Sequence, residues 1–426
     1  MKFFKNLDKE KIKNKILKII KSKAFIIVIT LIILDLVLGF ISRALINKLP
    51  EQSAADRWSA DGKMMAQVSV FFTEDQMIDS DFIKKMEYIM ESKMTDSGIV
   101  EETDDDDQSD QKDPKIVETQ KIGDNGASED TEAPVDDTKL YSSCYSAQGL
   151  VSISFEGKTA DNVTAIGTYG DFFLFHPLEL VSGSYYNKDA LMKDQIVIDE
   201  DLSWQLFGSS EVVGQMVTIG DIPHYVSGVV KRQEGKMRTT AGQQGGLAYI
   251  SYDSLCKYGT ILSGRTEKEE ISEDGKTSLR GGINCYEVVM PSPVDGIVKT
   301  IVKESTSLDD RYISVVDNSD RFSALSMYDI LTSFGTRSMW NKAIFYPYWE
   351  NLARGYEDIL VVLFTIRWIC KLIVICMFSA YVVYQYRHKK WTVSGIVQTL
   401  SDKKYDFEVK QKQKKKKEGQ RRGVKL

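Results

Sequence analysis

Two long apolar runs stand near opposite ends of the chain, and between them polar and apolar positions alternate at the short periods of a folded domain. Ala24–Ile46 is broken only by Asp35 and Arg43, and Ile359–Tyr384 only by Arg367 and Lys371. Each is long enough to cross roughly 30 Å of hydrocarbon as a helix. The pattern therefore predicts transmembrane helices over 24–46 and 358–386. The first apolar core exceeds the usual length of a secretory signal, and no small-x-small site follows Ile46, so it reads as an uncleaved anchor. Ahead of it, Leu7, Ile12, Ile16, Ile19 and Ile20 share one helical face with lysines around the other. That spacing predicts an amphipathic helix within 1–23, lying on the membrane surface.

Val68–Phe72 has the composition of a strand, and Ser80–Met94 that of a helix with Phe82, Ile83, Met86, Ile89 and Met90 turned to a core. Short strands follow over Leu150–Phe155, Val163–Tyr169, Gln195–Ile198, Met216–Ile219, Tyr225–Val230 and Ala248–Ser251. One helix interrupts them: Asp199 suits its N-cap, Glu200 and Asp201 its positive end, and Gly208 its close. That role accounts for the three adjacent carboxylates without a metal or an acid–base pair. Tyr286–Met290, Pro293–Glu304 and Tyr312–Val316 then form a strand–helix–strand with the character of the first unit. The expected domain over 47–318 is thus α+β: one α+β subdomain built from both ends, with a β-rich subdomain inserted in its middle. Residues 319–357 read as a mainly helical stalk bent near Pro347. Two stretches, 96–138 and 263–282, are too poor in apolar residues to order themselves.

Charge changes this picture by giving it a direction. The first 23 residues hold nine lysines and Arg387–Lys425 holds fourteen Lys or Arg, whereas Leu49–Glu357 holds 28 basic against 53 acidic residues. By the positive-inside rule both termini are cytoplasmic and residues 47–357 extracytoplasmic, in a multi-pass protein of the cell membrane. The carboxylates Asp104–Asp107 lack the glycine and distal glutamate of an EF-hand and read as a solvated run. Three histidines far apart and no Cys-x-x-Cys leave no metal site. Of five cysteines, Cys370 and Cys376 lie in the second span, and Cys144, Cys256 and Cys285 allow at most one bridge, whose pairing spacing does not decide.

Catalytic motifs are not found. Gly275-Lys276-Thr277 and Gly157-Lys158-Thr159 mimic the end of a phosphate loop, but Glu270 and Ser152 occupy the place of its first glycine. No nucleophile elbow or zinc-protease helix is present. The expectation is a protein that is not an enzyme, with no cofactor and no nucleic-acid partner. More informative are the charges inside the spans. Asp35 sits near the middle of the first; since the spans run antiparallel, Lys371 falls at its depth, and Arg367 nearer the outer surface. An unpaired charge at mid-membrane costs roughly 2.5–3.5 kcal/mol. An Asp35–Lys371 contact is expected, with Arg367 left to snorkel or to meet a partner; pairing of all three with another subunit is the equal alternative.

Several motifs resemble the extracytoplasmic core domain of MacB-type ABC transporter permeases, a group that includes FtsX-like permeases. They are Ile166-Gly167-Thr168-Tyr169 with Phe172-Phe173, Leu180-Val181-Ser182-Gly183-Ser184, Gln195-Ile196-Val197-Ile198-Asp199, Leu206-Phe207-Gly208, Val213-Gly214-Gln215 and Tyr225-Val226-Ser227-Gly228-Val229-Val230. Their order is that of the family, and the resemblance runs over residues 1–390. Gly183, Gly208, Gly214 and Gly228 fall where turns or bulges need freedom in φ, which makes them determinants of the fold. Permeases of this family carry four membrane helices, and here one span follows the domain. The resemblance therefore implies a non-catalytic, half-size subunit of an ABC-type complex, partnered by an ABC ATPase, a full-length permease, or both. In the family, closing of the membrane helices moves the outer domain. The polybasic tail 387–426 would bind anionic lipid or an acidic partner, or simply fix topology. The rival reading is a stand-alone, membrane-anchored sensor that captures an extracellular ligand.

Overall fold

The structure, a computed structural model, describes residues 23–58, 64–99, 140–188, 192–233, 235–243, 245–271, 276–337 and 342–387, with the single positions Ser401, Tyr405 and Val409. The leader helix expected within 1–23, nearly all of the acidic stretch 96–138 and nearly all of the basic tail lie outside the described residues. Two units are distinguished: residues 42–362, and a membrane unit holding 1–41 and 363–426.

Helix α1 (Lys23–Ile46) is the first apolar run. Strand β1 (Met65–Phe72) is buried along almost its whole length. Helix α2 (Ser80–Asp96) begins where Asp79 accepts the Phe82 amide at 2.8 Å, and it buries Ile83, Met86, Met90 and Met94, one helical stripe. The long strands β2 (Ser142–Phe155) and β3 (Lys158–Gly170) form a hairpin closed by Glu156-Gly157. Both of those residues have positive φ, as a two-residue turn matched to strand twist requires. The one-turn helix α3 (Phe172–Phe175) leads to strands β4 (Leu180–Gly183) and β5 (Gln195–Asp199) and helix α4 (Glu200–Leu206). Then come β6 (Met216–Ile219), β7 (Ile222–Val230), β8 (Leu247–Ser251), helix α5 (Tyr252–Tyr258) and β9 (Thr260–Ile261). Strands β10 (Thr266–Ile271) and β11 (Lys276–Gly281) precede β12 (Cys285–Pro291), helix α6 (Ile297–Ser305) and β13 (Ile313–Asp317). Helices α7 (Ala324–Arg337) and α8 (Tyr348–Arg387) follow.

The domain is α+β, as the patterning predicts. Eleven strands make one sheet in the order β13-β1-β12-β2-β3-β8-β5-β7-β4, with β6 and β9 on the flank of β2. The two ends of the domain do meet: β1 lies antiparallel between β12 and β13. The inserted strands extend this same sheet through β2, which pairs with β12 on one side and β3 on the other. Side chains alternate across it. Val68, Val70, Phe72, Tyr286, Val288 and Met290 point to a core under α2, α4, α5 and α6. Phe71, Cys144, Cys285, Val289, Ile166, Val197 and Tyr249 point to the other, under α3 and the first turn of α8. Burial on both faces explains why the central strands read as continuous apolar runs.

One expectation is corrected in part. Within 263–282, expected to be soft, Thr266–Ile271 and Lys276–Gly281 are the strands β10 and β11, which pair over six positions as a separate ribbon. Leu279 packs on the core, and Arg280 reaches Asp79 and Asp81 at the start of α2. The ribbon carries charge on both faces, so its strands lack the apolar alternation that would announce them. Pro347, near which the stalk over 319–357 is expected to bend, opens α8. Its carbonyl accepts the amides of Glu350 and Asn351, each at 3.1 Å, and a residue without an amide proton is suited to a helix start.

Candidate functional site

At the start of α8 the sheet's second face holds a chain of buried polar groups. Arg321, in the turn after β13, is 5% exposed. Its Nη1 and Nη2 donate to the two oxygens of Glu350 at 2.7 and 2.9 Å, and its Nε donates to Glu357. Nη1 also donates to Gln52 at 2.8 Å and lies 3.3 Å from Asn318 Oδ1. Glu350 receives a further bond from Arg354 Nε at 2.7 Å. Burial works against the charge on Arg321, yet Glu350 and Glu357 together hold its pKa above the ordinary value. Burial likewise pushes Glu350 up, and Arg321 and Arg354 outweigh it, leaving that carboxyl below its ordinary value. The group is a charged knot with its forks filled.

From the knot, Asn318 Nδ2 donates to Ser69 Oγ at 2.7 Å, and Ser69 Oγ donates to Glu287 Oε1 at 2.9 Å. The other oxygen of Glu287 bonds His176 Nε2. The His176 ring lies 4.3 Å from the rings of both Phe172 and Trp349. Trp349 precedes Glu350 on α8, so the chain of contacts returns to the helix where it began. Nearby, Gln67 Nε2 donates to the Glu51 carbonyl and Gln67 Oε1 accepts from the Ala54 amide, each at 2.8 Å, tying residues 50–55 to β1. The arrangement offers no exposed nucleophile beside a base. What it does is fix α8, the loop 318–321 and the centre of the sheet to one another. Removing one partner of such a buried pair typically costs about 3–5 kcal/mol, because the other charge is left unpaired.

The sequence did not reveal this site. Its members are scattered over some three hundred positions, and the available signals were slight: Glu287 is the lone carboxylate within an apolar strand, and His176 directly follows four apolar residues.

The residues singled out within the spans pair differently from expectation. Arg367, not Lys371, meets Asp35, with Nε donating to Oδ1 at 2.9 Å. The register between α1 and α8 sets 367 against 35, and Gly39, one turn beyond Asp35, leaves room for the guanidinium. A Cβ on Gly39 would stand 3.0 Å from Arg367 Nη2. Lys371 is exposed, with Nζ 5.7 Å from the centre of the Trp368 ring. A cation–π contact is worth up to about 2 kcal/mol when desolvated. The roughly 2.5–3.5 kcal/mol of a charge at mid-membrane exceeds it.

Gly183 and Gly228 face each other across β4 and β7. A Cβ on Gly183 would lie 2.2 Å from the Ser227 carbonyl oxygen, and one on Gly228 would lie 2.6 Å from that of Ser184. Gly208 and Gly214 have φ of +74° and +83° with open space around them, so there the requirement is conformational. All four shape turns and strand contacts. All five cysteines are free thiols, and burial pushes those of Cys144, Cys256 and Cys285 upward.

Residues 65–284, from the start of β1 to the residue before β12, match the family model of the MacB-like periplasmic core domain. The chain belongs to the MacB/FtsX-like family. Over 75 residues it is 31% identical to the macrolide export ATP-binding/permease protein MacB of Chromobacterium violaceum, a stretch that is 17% of this chain and 12% of that protein. The chain thus matches about an eighth of the length of that relative. It is similar to the extracellular domain of the noncanonic ABC-type transporter YknZ from Gram-positive bacteria, with 12% identity and a TM-score of 0.32 over 59% of this chain and 99% of that one. The periplasmic region of MacB from Actinobacillus actinomycetemcomitans is similar at 12% identity and a TM-score of 0.34, over 64% and 94%. This member of the MacB-like family carries its core domain between two helices long and apolar enough to cross a membrane, which makes it a membrane protein with an extracytoplasmic segment.

Proposed function

We propose that the chain is a non-catalytic, permease-like subunit of an ABC-type complex, whose extracytoplasmic domain couples to or recognises a partner through movement of α8. One observation carries this reading. A single 40-residue helix bears Trp349, Glu350 and Glu357 of the buried network in its first turns and the apolar span from Ile359 onward. A displacement of the span within the bilayer would act on the domain through a joint of charged hydrogen bonds. The charge distribution along the sequence supports cytoplasmic termini and an extracytoplasmic domain. Nothing in the described residues has the features of a nucleotide site, so the energy would come from an ABC ATPase, a complete permease, or both. The basic tail would contribute about 1 kcal/mol per charge toward an anionic leaflet.

The test is purification of the tagged full chain in mild detergent. Recovery of a nucleotide-binding subunit at fixed stoichiometry is the expected result. Recovery of the chain with no such subunit would overturn the reading in favour of a stand-alone membrane-anchored sensor.

A further inference from the structure

We propose that Lys371 marks a face of the membrane unit that binds a helix of another polypeptide carrying a carboxylate within the bilayer. The inference rests on the reading of the chain as one subunit of a membrane assembly, and it names the chemistry by which that assembly is held.

Deep within the two apolar stretches stand one carboxylate, Asp35, and two cations, Arg367 and Lys371. Arg43 lies within a turn of the end of α1, where its side chain reaches the interface. Asp35 is taken by Arg367 at 2.9 Å. Lys371, one turn along α8, has no carboxylate partner among the described residues, and its side chain is exposed beside Trp368. It stands twelve residues from Ile359 and thirteen from Tyr384. That is roughly 18–20 Å of helix in either direction, against a lysine stem of about 6 Å. Headgroup phosphates are out of its reach. A second copy of the chain does not supply the missing charge either, since each copy brings one carboxylate for two cations. Exchanging Asp35 between copies leaves one cation per chain unmatched. The proposal therefore assigns the counter-ion to a different polypeptide, at mid-membrane depth, on an Asp or Glu of a spanning helix.

The probe is a synthetic polyleucine transmembrane peptide with one central Asp and a quencher, beside the same peptide with Leu at that place. The full-length chain, with a fluorophore at its C-terminus, is reconstituted with each in phosphatidylcholine vesicles at neutral pH. The Asp peptide is expected to associate roughly threefold to tenfold more strongly than the Leu peptide. Lys371→Leu, which removes a charge from the span and so does not hinder insertion, should abolish the preference, and Lys371→Arg should keep it. Equal association of the two peptides, or a preference that survives Lys371→Leu, would overturn the proposal. Self-association of labelled chains that depends on Lys371 would assign the face to a second copy and overturn it as well. No nucleotide-binding subunit is present in the vesicles, so failure here and failure of the co-purification are separate results.

Discussion

Two guanidinium groups of this chain meet opposite circumstances. Arg321, packed against the start of α8, is matched by two carboxylates and by the side-chain oxygens of Gln52 and Asn318, so each nitrogen of its guanidinium has an acceptor. Arg367, on the membrane part of that helix, has one carboxylate and a glycine-lined space, and its neighbour Lys371 has no carboxylate partner among the described residues. The difference separates a joint from a docking face. A buried charge closed by the chain's own residues fixes parts of one molecule together. A charge left open in a medium without water makes the molecule incomplete.

The largest test of this contrast is Arg321→Ala, which removes the cation that Glu350 and Glu357 share. Chemical denaturation of the detergent-solubilised chain should show the domain losing about 3–5 kcal/mol. A loss below about 1 kcal/mol would mean the knot is peripheral. Next is Asp35→Leu, which frees Arg367. In a membrane-integration assay the span of α8 should insert less favourably by up to about 3 kcal/mol, with Arg367→Leu restoring it in the double variant. If the single variant inserts normally, the pair has no structural weight.

A third buried charge sharpens the comparison at smaller scale. Burial pushes the Asp199 carboxyl up to about 6, against the amides of Leu202 and Leu247 and the charge of Arg232, which pull it down. This carboxylate is neither knotted nor left for a partner; it is held part-way to neutral. The folded state keeps a proton that the unfolded chain releases near 3.8. Its contribution is therefore complete below that value and is lost as pH rises through about 6, with a slope of at most about 1.4 kcal/mol per pH unit. Asp199→Asn retains a good N-cap and should flatten stability between pH 4 and 6.

What the sequence shows and what it hides follows from range. The apolar spans, the strand at Met216–Ile219, the helix within Ser80–Asp96 and the capping role of Asp199 are written in neighbouring residues, and the structure has them. The first half of β2, Ser142–Gly149, is small or polar apart from Tyr145 and gives no period-2 signal, although the sheet buries most of it. The β10–β11 ribbon is hidden by its charges. The knot is hidden by distance: Gln52, Asn318, Arg321, Glu350 and Glu357 each look like an ordinary polar residue until the sheet brings them to one place. Within the spans, residue counting found the right depth to within one turn, and one turn separates Arg367 from Lys371.

The position of β1 has a consequence for how the domain is made. It is synthesised by residue 72, yet both of its hydrogen-bonded neighbours lie in residues 285–317. At about 5–20 residues per second, more than two hundred residues of synthesis leave it unpaired on both edges for roughly 10–40 s. Contacts so remote in sequence also close slowly once they become available. The first strand to leave the ribosome is thus among the last to be sealed, and a chain truncated before Ile313 would present it with one bare edge for good.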